Sequence, residues 1–148
     1  MKRTPKWISK QAVLAFHERL LAEHGGAPGL LDEGLLDAAL CCPMNQLAYE
    51  QADIFRLAAA YAYALTQNHP FVDGNKRVAL TVAGVFLELN GYRLDASEQD
   101  AANATLALST RTMNERDFGA WLRTSSSILH RRRQDSAKRA PRTPRKKK

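Results

Sequence analysis

The chain has 148 residues and a mass of 16.5 kDa, with 45% hydrophobic and 25% charged residues. These proportions predict one globular domain with an adequate core and exclude a wholly disordered or fibrous chain. The formal net charge is +7, no apolar run reaches the roughly 18 residues of a transmembrane helix, and two adjacent cysteines, Cys41 and Cys42, are too close to bridge and too few for a zinc site.

In chain order, the opening MKRTPKWISK lacks the apolar stretch of a secretory leader, and the unbridged cysteines fit a reducing cytosol. The pair is expected to be one small buried residue and its neighbour. Ser9 can cap a first helix whose Val13, Phe16, Leu20 and Leu21 recur at helical spacing. Gly25-Gly26 ends it, and Gly25 to Gly29 form a turn. Asp32 caps a second helix with Leu35, Leu36, Ala39 and Leu40, which Pro43 is expected to stop. Asp53 caps a third, DIFRLAAAYAYALTQN, whose all-round apolarity predicts a central, buried position. The loop HPFVDG comes next. A fourth helix opens near Asn75 and runs through Val78, Val82, Val85, Phe86 and Leu89 to Asn90-Gly91. Tyr92 to Leu94 is long enough only for a strand fragment. Ser97 and Asn114 open a fifth and a sixth helix. An all-α bundle of about six helices is therefore predicted for residues 1–129.

The positive charge is concentrated at the end. Residues 130–148 hold ten Lys or Arg against one Asp, leaving the rest of the chain at −2. This stretch has no large apolar residue to offset ordering entropy, so it is expected to be a disordered polybasic tail. Such a tail attracts RNA or DNA phosphates non-specifically, or is simply solvated.

The chemistry lies in one loop, His69 to Arg77. A His before Pro is ordinarily a turn residue, and Asp-Gly-Asn is ordinarily a turn and cap. Here they stand together at the start of a helix, where unpaired amides and the macrodipole attract anions. Lys76 and Arg77 are unfavourable at that end unless an anion is bound. Gly74 permits close approach. Asp73 offers a carboxylate suited to Mg²⁺. His69 has the proton affinity of a general base. Phe71 is read as the apolar anchor of the loop. The set matches the needs of phosphoryl or nucleotidyl transfer.

The segment HPFVDGNKR resembles the signature of the Fic/Doc superfamily, and specifically its Doc branch. Fic proteins resemble HPFxxGNGRxxR. Doc toxins read His-x-Phe-x, then Asp or Asn, then Ala or Gly, then Asn-Lys-Arg, and Lys76 sides with Doc. The Gly25 to Leu40 segment and Leu89-Asn90-Gly91-Tyr92 are similar to the family as well, so the likeness spans about Ile8 to Thr124.

The resemblance implies the Fic/Doc-like bundle and a bacterial type II toxin that moves phosphate from ATP to a hydroxyl of translation elongation factor Tu, which inhibits translation. His69 would activate the acceptor, Asp73 would serve Mg²⁺, and Gly74, Asn75, Lys76 and Arg77 would hold phosphates. A cognate antitoxin would lay an amphipathic helix in a groove beside the motif. Two positions depart from the Doc pattern: Gln67 stands where an arginine is common, and Thr81 where an asparagine is. Leu80 and Thr81 also occupy the place of the last Fic arginine, which counts against the alternative of AMP transfer. A third reading is a non-catalytic, nucleic-acid-associated protein of the same fold.

Overall fold

A computed structural model describes residues 4–129. The expected tail, 130–148, lies outside the described residues. Six helices form: α1 (Lys10–His24), α2 (Glu33–Tyr49), α3 (Ile54–Asn68), α4 (Asn75–Leu89), α5 (Glu98–Ser109) and α6 (Glu115–Thr124). Two short strands, β1 (Tyr92–Leu94) and β2 (Ser126–Ile128), pair antiparallel, with Tyr92 opposite Ile128 and Leu94 opposite Ser126. The fold is all-α, as predicted.

Local chemistry sets the helix starts. Ser9, Asp32, Asp53, Ser97 and Asn114 each accept a hydrogen bond from the amide three residues on. α4 differs: it starts from Gly74 at φ 84° and has no side-chain cap.

α3 is the central helix, with α2, α4 and α6 packed along it. Leu57, Ala58, Ala59, Tyr61, Ala62 and Leu65 are fully buried. The alanines allow close approach: a Cβ on Gly119 of α6 would stand 3.5 Å from the Ala59 Cβ. Tyr61 satisfies its hydroxyl by accepting the Ile8 amide at 3.2 Å. Each large apolar side chain buried here contributes about 1.5–3 kcal/mol of transfer energy.

Two sequence expectations are corrected, and one strand pairing was not foreseen. Pro43 does not stop α2, which continues six residues to Tyr49. Proline removes one helical hydrogen bond and crowds the preceding turn. Here Pro43 is itself buried, in line with Leu36, Ala39 and Leu40, and half-buried Leu47 extends that stripe. Packing on α3 outweighs the local penalty. The same stripe turns Cys41 and Cys42 outward, so both thiols are exposed and free. Finally, Tyr92–Leu94 is a strand fragment as expected, but its partner Ser126–Ile128 was unforeseen, because pairing across about 30 residues leaves no local pattern.

Candidate active site

The motif loop begins with a left-handed turn. His69 closes α3 at φ 52°, ψ 57°, and its amide donates to the Leu65 carbonyl at 3.2 Å. A non-glycine residue in this region is uncommon and costs energy. The His69 side chain is exposed.

The α1–α2 turn pins the next three residues of the loop. The Pro70 carbonyl accepts the Leu31 amide at 2.7 Å and the Asp32 amide at 3.2 Å. Leu30 and Phe71 form an antiparallel bridge, and the Val72 amide donates to the Gly29 carbonyl at 3.0 Å. Phe71, 1% exposed, is the buried anchor the sequence implied. Asn75 brackets its backbone: Oδ1 accepts the Phe71 amide at 3.0 Å, and Nδ2 donates to the Phe71 carbonyl at 2.9 Å. The Asn75 side chain is therefore a brace within the loop, and what it offers a ligand is its amide on α4.

Asp73 is held from three sides. Its Oδ1 accepts the Gly74 amide at 2.9 Å, and its Oδ2 accepts the Ala27 amide at 3.1 Å. Its carbonyl accepts from His17 Nε2 at 2.9 Å. The Ala27 and Gly74 amides, with the Arg77 and Lys76 charges behind them, hold the carboxyl below its usual range. Gly26 makes this approach possible. At φ 125°, a Cβ there would stand 2.9 Å from Asp73 Oδ2 and 2.9 Å from Leu21 Cδ2.

His17 was not singled out by the sequence. It is 6% exposed and stacks on Phe71 with ring centroids 3.8 Å apart. The available signal was its place on α1: four residues after Val13 and four before Leu21, a polar residue sits on the apolar stripe.

Beside the loop lies a cleft of about 560 Å³. Thr66 and His69 of α3, Asp73 and the first turn of α4 form one side, and Ala102, Thr105 and Ser109 of α5 face them. His69, Asp73, Gly74, Asn75, Lys76 and Arg77 therefore line one cavity, with Phe71 behind it. The first in-helix bond of α4 is Val78 N–H to Gly74 O at 3.0 Å, so the amides of residues 75 to 77 precede the ladder. Such amides and two exposed cations suit oxyanions. The α5 wall was not legible in the sequence. Its hydroxyls bond back to their own helix, Thr105 to Ala101 O and Ser109 to Leu106 O.

Among the described residues no three His, Cys, Asp or Glu side chains gather to hold a metal. A single carboxylate with phosphate oxygens and water is nevertheless a normal Mg²⁺ environment. Each Asp73 oxygen accepts one amide and retains a lone pair, so the donor set fits. Gln67 does not line the cleft. Its Nε2 donates to Ser109 O at 3.2 Å, and its Oε1 accepts from Arg111 Nε at 2.8 Å.

The profile of the Fic/DOC family matches residues 7–87, more than half of the chain and all of the motif loop. The chain belongs to the Fic/Doc family. Among its relatives is the protein kinase doc of Escherichia phage P1, 35% identical over 104 residues, which are 70% of this chain and 82% of that protein. Another is the toxin Doc of Mycolicibacterium smegmatis, 42% identical over 76 residues, 49% of this chain and 57% of that one. Lys76 and both relatives place this Fic/Doc protein in the Doc branch. The family match ends before α5, so the far wall of the cleft is outside it. No helix among the described residues is long and apolar enough to cross a membrane.

Proposed function

We propose that this Doc-branch protein is the toxin of a type II toxin–antitoxin pair and transfers the γ-phosphate of ATP to a protein hydroxyl. The observation that carries the reading is the meeting, in one cleft, of exposed His69, ionised Asp73 and an uncapped helix start bearing Lys76 and Arg77. In the reaction, His69 takes the proton of the acceptor hydroxyl. The acceptor oxygen bonds to the γ-phosphorus, and the bond from phosphorus to the β–γ bridging oxygen breaks, releasing ADP. The amides of Asn75, Lys76 and Arg77 and the two cationic side chains hold the phosphate oxygens. Mg²⁺, when bound, neutralises phosphate charge, and Asp73 is the residue that would hold it.

The proposed target is a threonine of elongation factor Tu, so that the protein acts in the bacterial cytoplasm as an inhibitor of translation. The named activity of the phage relative, a protein kinase, supports phosphate as the group moved. A groove for the antitoxin helix is supported by exposed Leu30, Leu31, Leu35 and Val72, which flank the joined turn and motif loop.

The test is the mass of elongation factor Tu after incubation with the protein, ATP and Mg²⁺. One added phosphate, lost with His69→Ala, is expected. One added AMP would establish the Fic-type reaction instead, and an unmodified target would overturn the assignment of this substrate.

A further inference from the structure

α2 and α6 both pack on α3 and leave a groove between them. The groove uses a different face of α3 from the motif cleft and shares no lining residue with it. Its floor is the stripe Arg56, Tyr63 and Gln67, at helical spacing on a helix whose interior is mostly buried. At one end is a cavity of about 500 Å³ into which three arginines converge: Arg56 from α3, Arg111 from the α5–α6 turn and Arg116 from α6.

Their donors are largely uncommitted. Arg111 and Arg116 form no ion pair among the described residues. Arg111 spends only its Nε, on Gln67 Oε1 at 2.8 Å, which leaves its two terminal nitrogens. Arg56 has one loose pair with Glu50 at 3.5 Å, while its Nε is buried without a hydrogen-bond partner. An unpaired buried donor costs about 1–3 kcal/mol and is rare without a ligand or water.

Arg111 has φ +67°, the left-handed region that favours glycine. Its side chain lines the cavity, and Gln67 holds its Nε. Arg116 stands in the first turn of α6 between Glu115 and Asp117, and its side chain is exposed at the rim of the cavity. Glu115 in the wall and Glu50 beside Arg56 oppose the three cations, leaving the cavity net positive within a body of net charge −2.

We infer that this cavity is a second oxyanion site, separate from the motif cleft, which takes the phosphate group of a small molecule. Guanidinium forks match pairs of phosphate oxygens, and the volume suits a small ligand rather than a polymer. Tyr63 and Met113 supply the apolar wall against which the rest of such a ligand rests.

The experiment is protection of the full-length protein from an arginine-directed dicarbonyl reagent, with inorganic pyrophosphate as the probe and peptide masses as the readout. Residue-resolved rates separate this site from Arg77 and from the tail arginines. Pyrophosphate at about ten times its Kd is expected to slow modification of Arg111 and Arg116 about tenfold together. In Arg116→Ala, an exposed change that leaves the core intact, protection of Arg111 is expected to fall severalfold. Protection confined to Arg77 and the tail overturns the inference. So does unchanged protection of Arg111 in the variant. An acidic peptide that protects both arginines where pyrophosphate does not would make this a partner-docking site and overturn the phosphate assignment.

Discussion

His17 and Phe71, far apart in the chain, stack nearly parallel at 13°, and the same imidazole donates from Nε2 to the carbonyl of Asp73 at 2.9 Å. One buried side chain on α1 thus fixes both the anchor of the motif loop and its acidic residue. His17→Leu preserves much of the volume but loses the bond and the ring contact. The expected cost is about 1–3 kcal/mol of stability, from the hydrogen bond and the stack together. Transfer should fall by more than unfolding explains, because the phosphate cradle shifts with Asp73. Denaturant midpoints and single-turnover rates measured on the same preparations check this, and an unchanged rate in folded His17→Leu would remove the positioning role.

His69 is exposed, so its removal is expected to affect chemistry and not folding. His69→Ala should lower the transfer rate about 10²–10⁴-fold, the range for loss of a general base. Its thermal midpoint should stay near that of the parent. A variant that still arrests growth at full strength would rule out His69 as the base.

Asn75 and Lys76 are neighbours with opposite expectations. Asn75→Ala leaves the buried Phe71 amide and carbonyl without their partners, at about 1–3 kcal/mol for each group. Lys76 is exposed, and Lys76→Ala should leave stability nearly unchanged while weakening nucleotide binding. Chemical denaturation and nucleotide titration of the two variants give the comparison. Equal stability losses would contradict the brace.

Asp73 makes the loop acid-sensitive. The Ala27 and Gly74 amides, aided by Arg77 and Lys76, lower its folded pKa below the ordinary value of 3.8. Its stabilisation is therefore fully present above that value and is lost as pH falls through the lower, folded pKa. Asp73→Asn should flatten this part of the stability profile below about pH 4. Urea midpoints across that range test it; identical pH slopes in parent and variant would show that the carboxylate is not so held.

Residues 130–148 carry ten Lys or Arg and no Phe, Tyr or Trp to stack on bases. Truncation after Leu129 should remove most RNA binding at low salt and leave phosphate transfer intact. The binding lost should have a steep salt dependence, from counterion release. Truncated protein that keeps the parent's RNA affinity would move that binding to the body.

Much of the fold was legible because its signals are local. Capping residues act on amides three positions away, and apolar spacing along one helix reveals its buried face. Ser9, Asp32, Asp53, Ser97 and Asn114 therefore mark five helix starts correctly. The motif loop was legible for the same reason: histidine, carboxylate, glycine and cations lie within nine residues.

The remainder depended on which surfaces meet. Pro43 inside α2 and the outward cysteines result from packing against α3, which overrides a local propensity worth a few kcal/mol. Thr105 and Ser109 reach the cleft only because α5 folds back across α4 and the end of α3. His17 and Ala27 meet Asp73 across separations of 56 and 46 residues, and Gly26 shows its necessity only when the Asp73 carboxylate arrives beside it. The sequence by itself determined the helices and the motif loop, through interactions a few residues long. The tertiary structure alone decided what holds that loop in place, because burial and hydrogen bonding between distant segments depend on the spatial arrangement of the chain and carry no period or spacing along it.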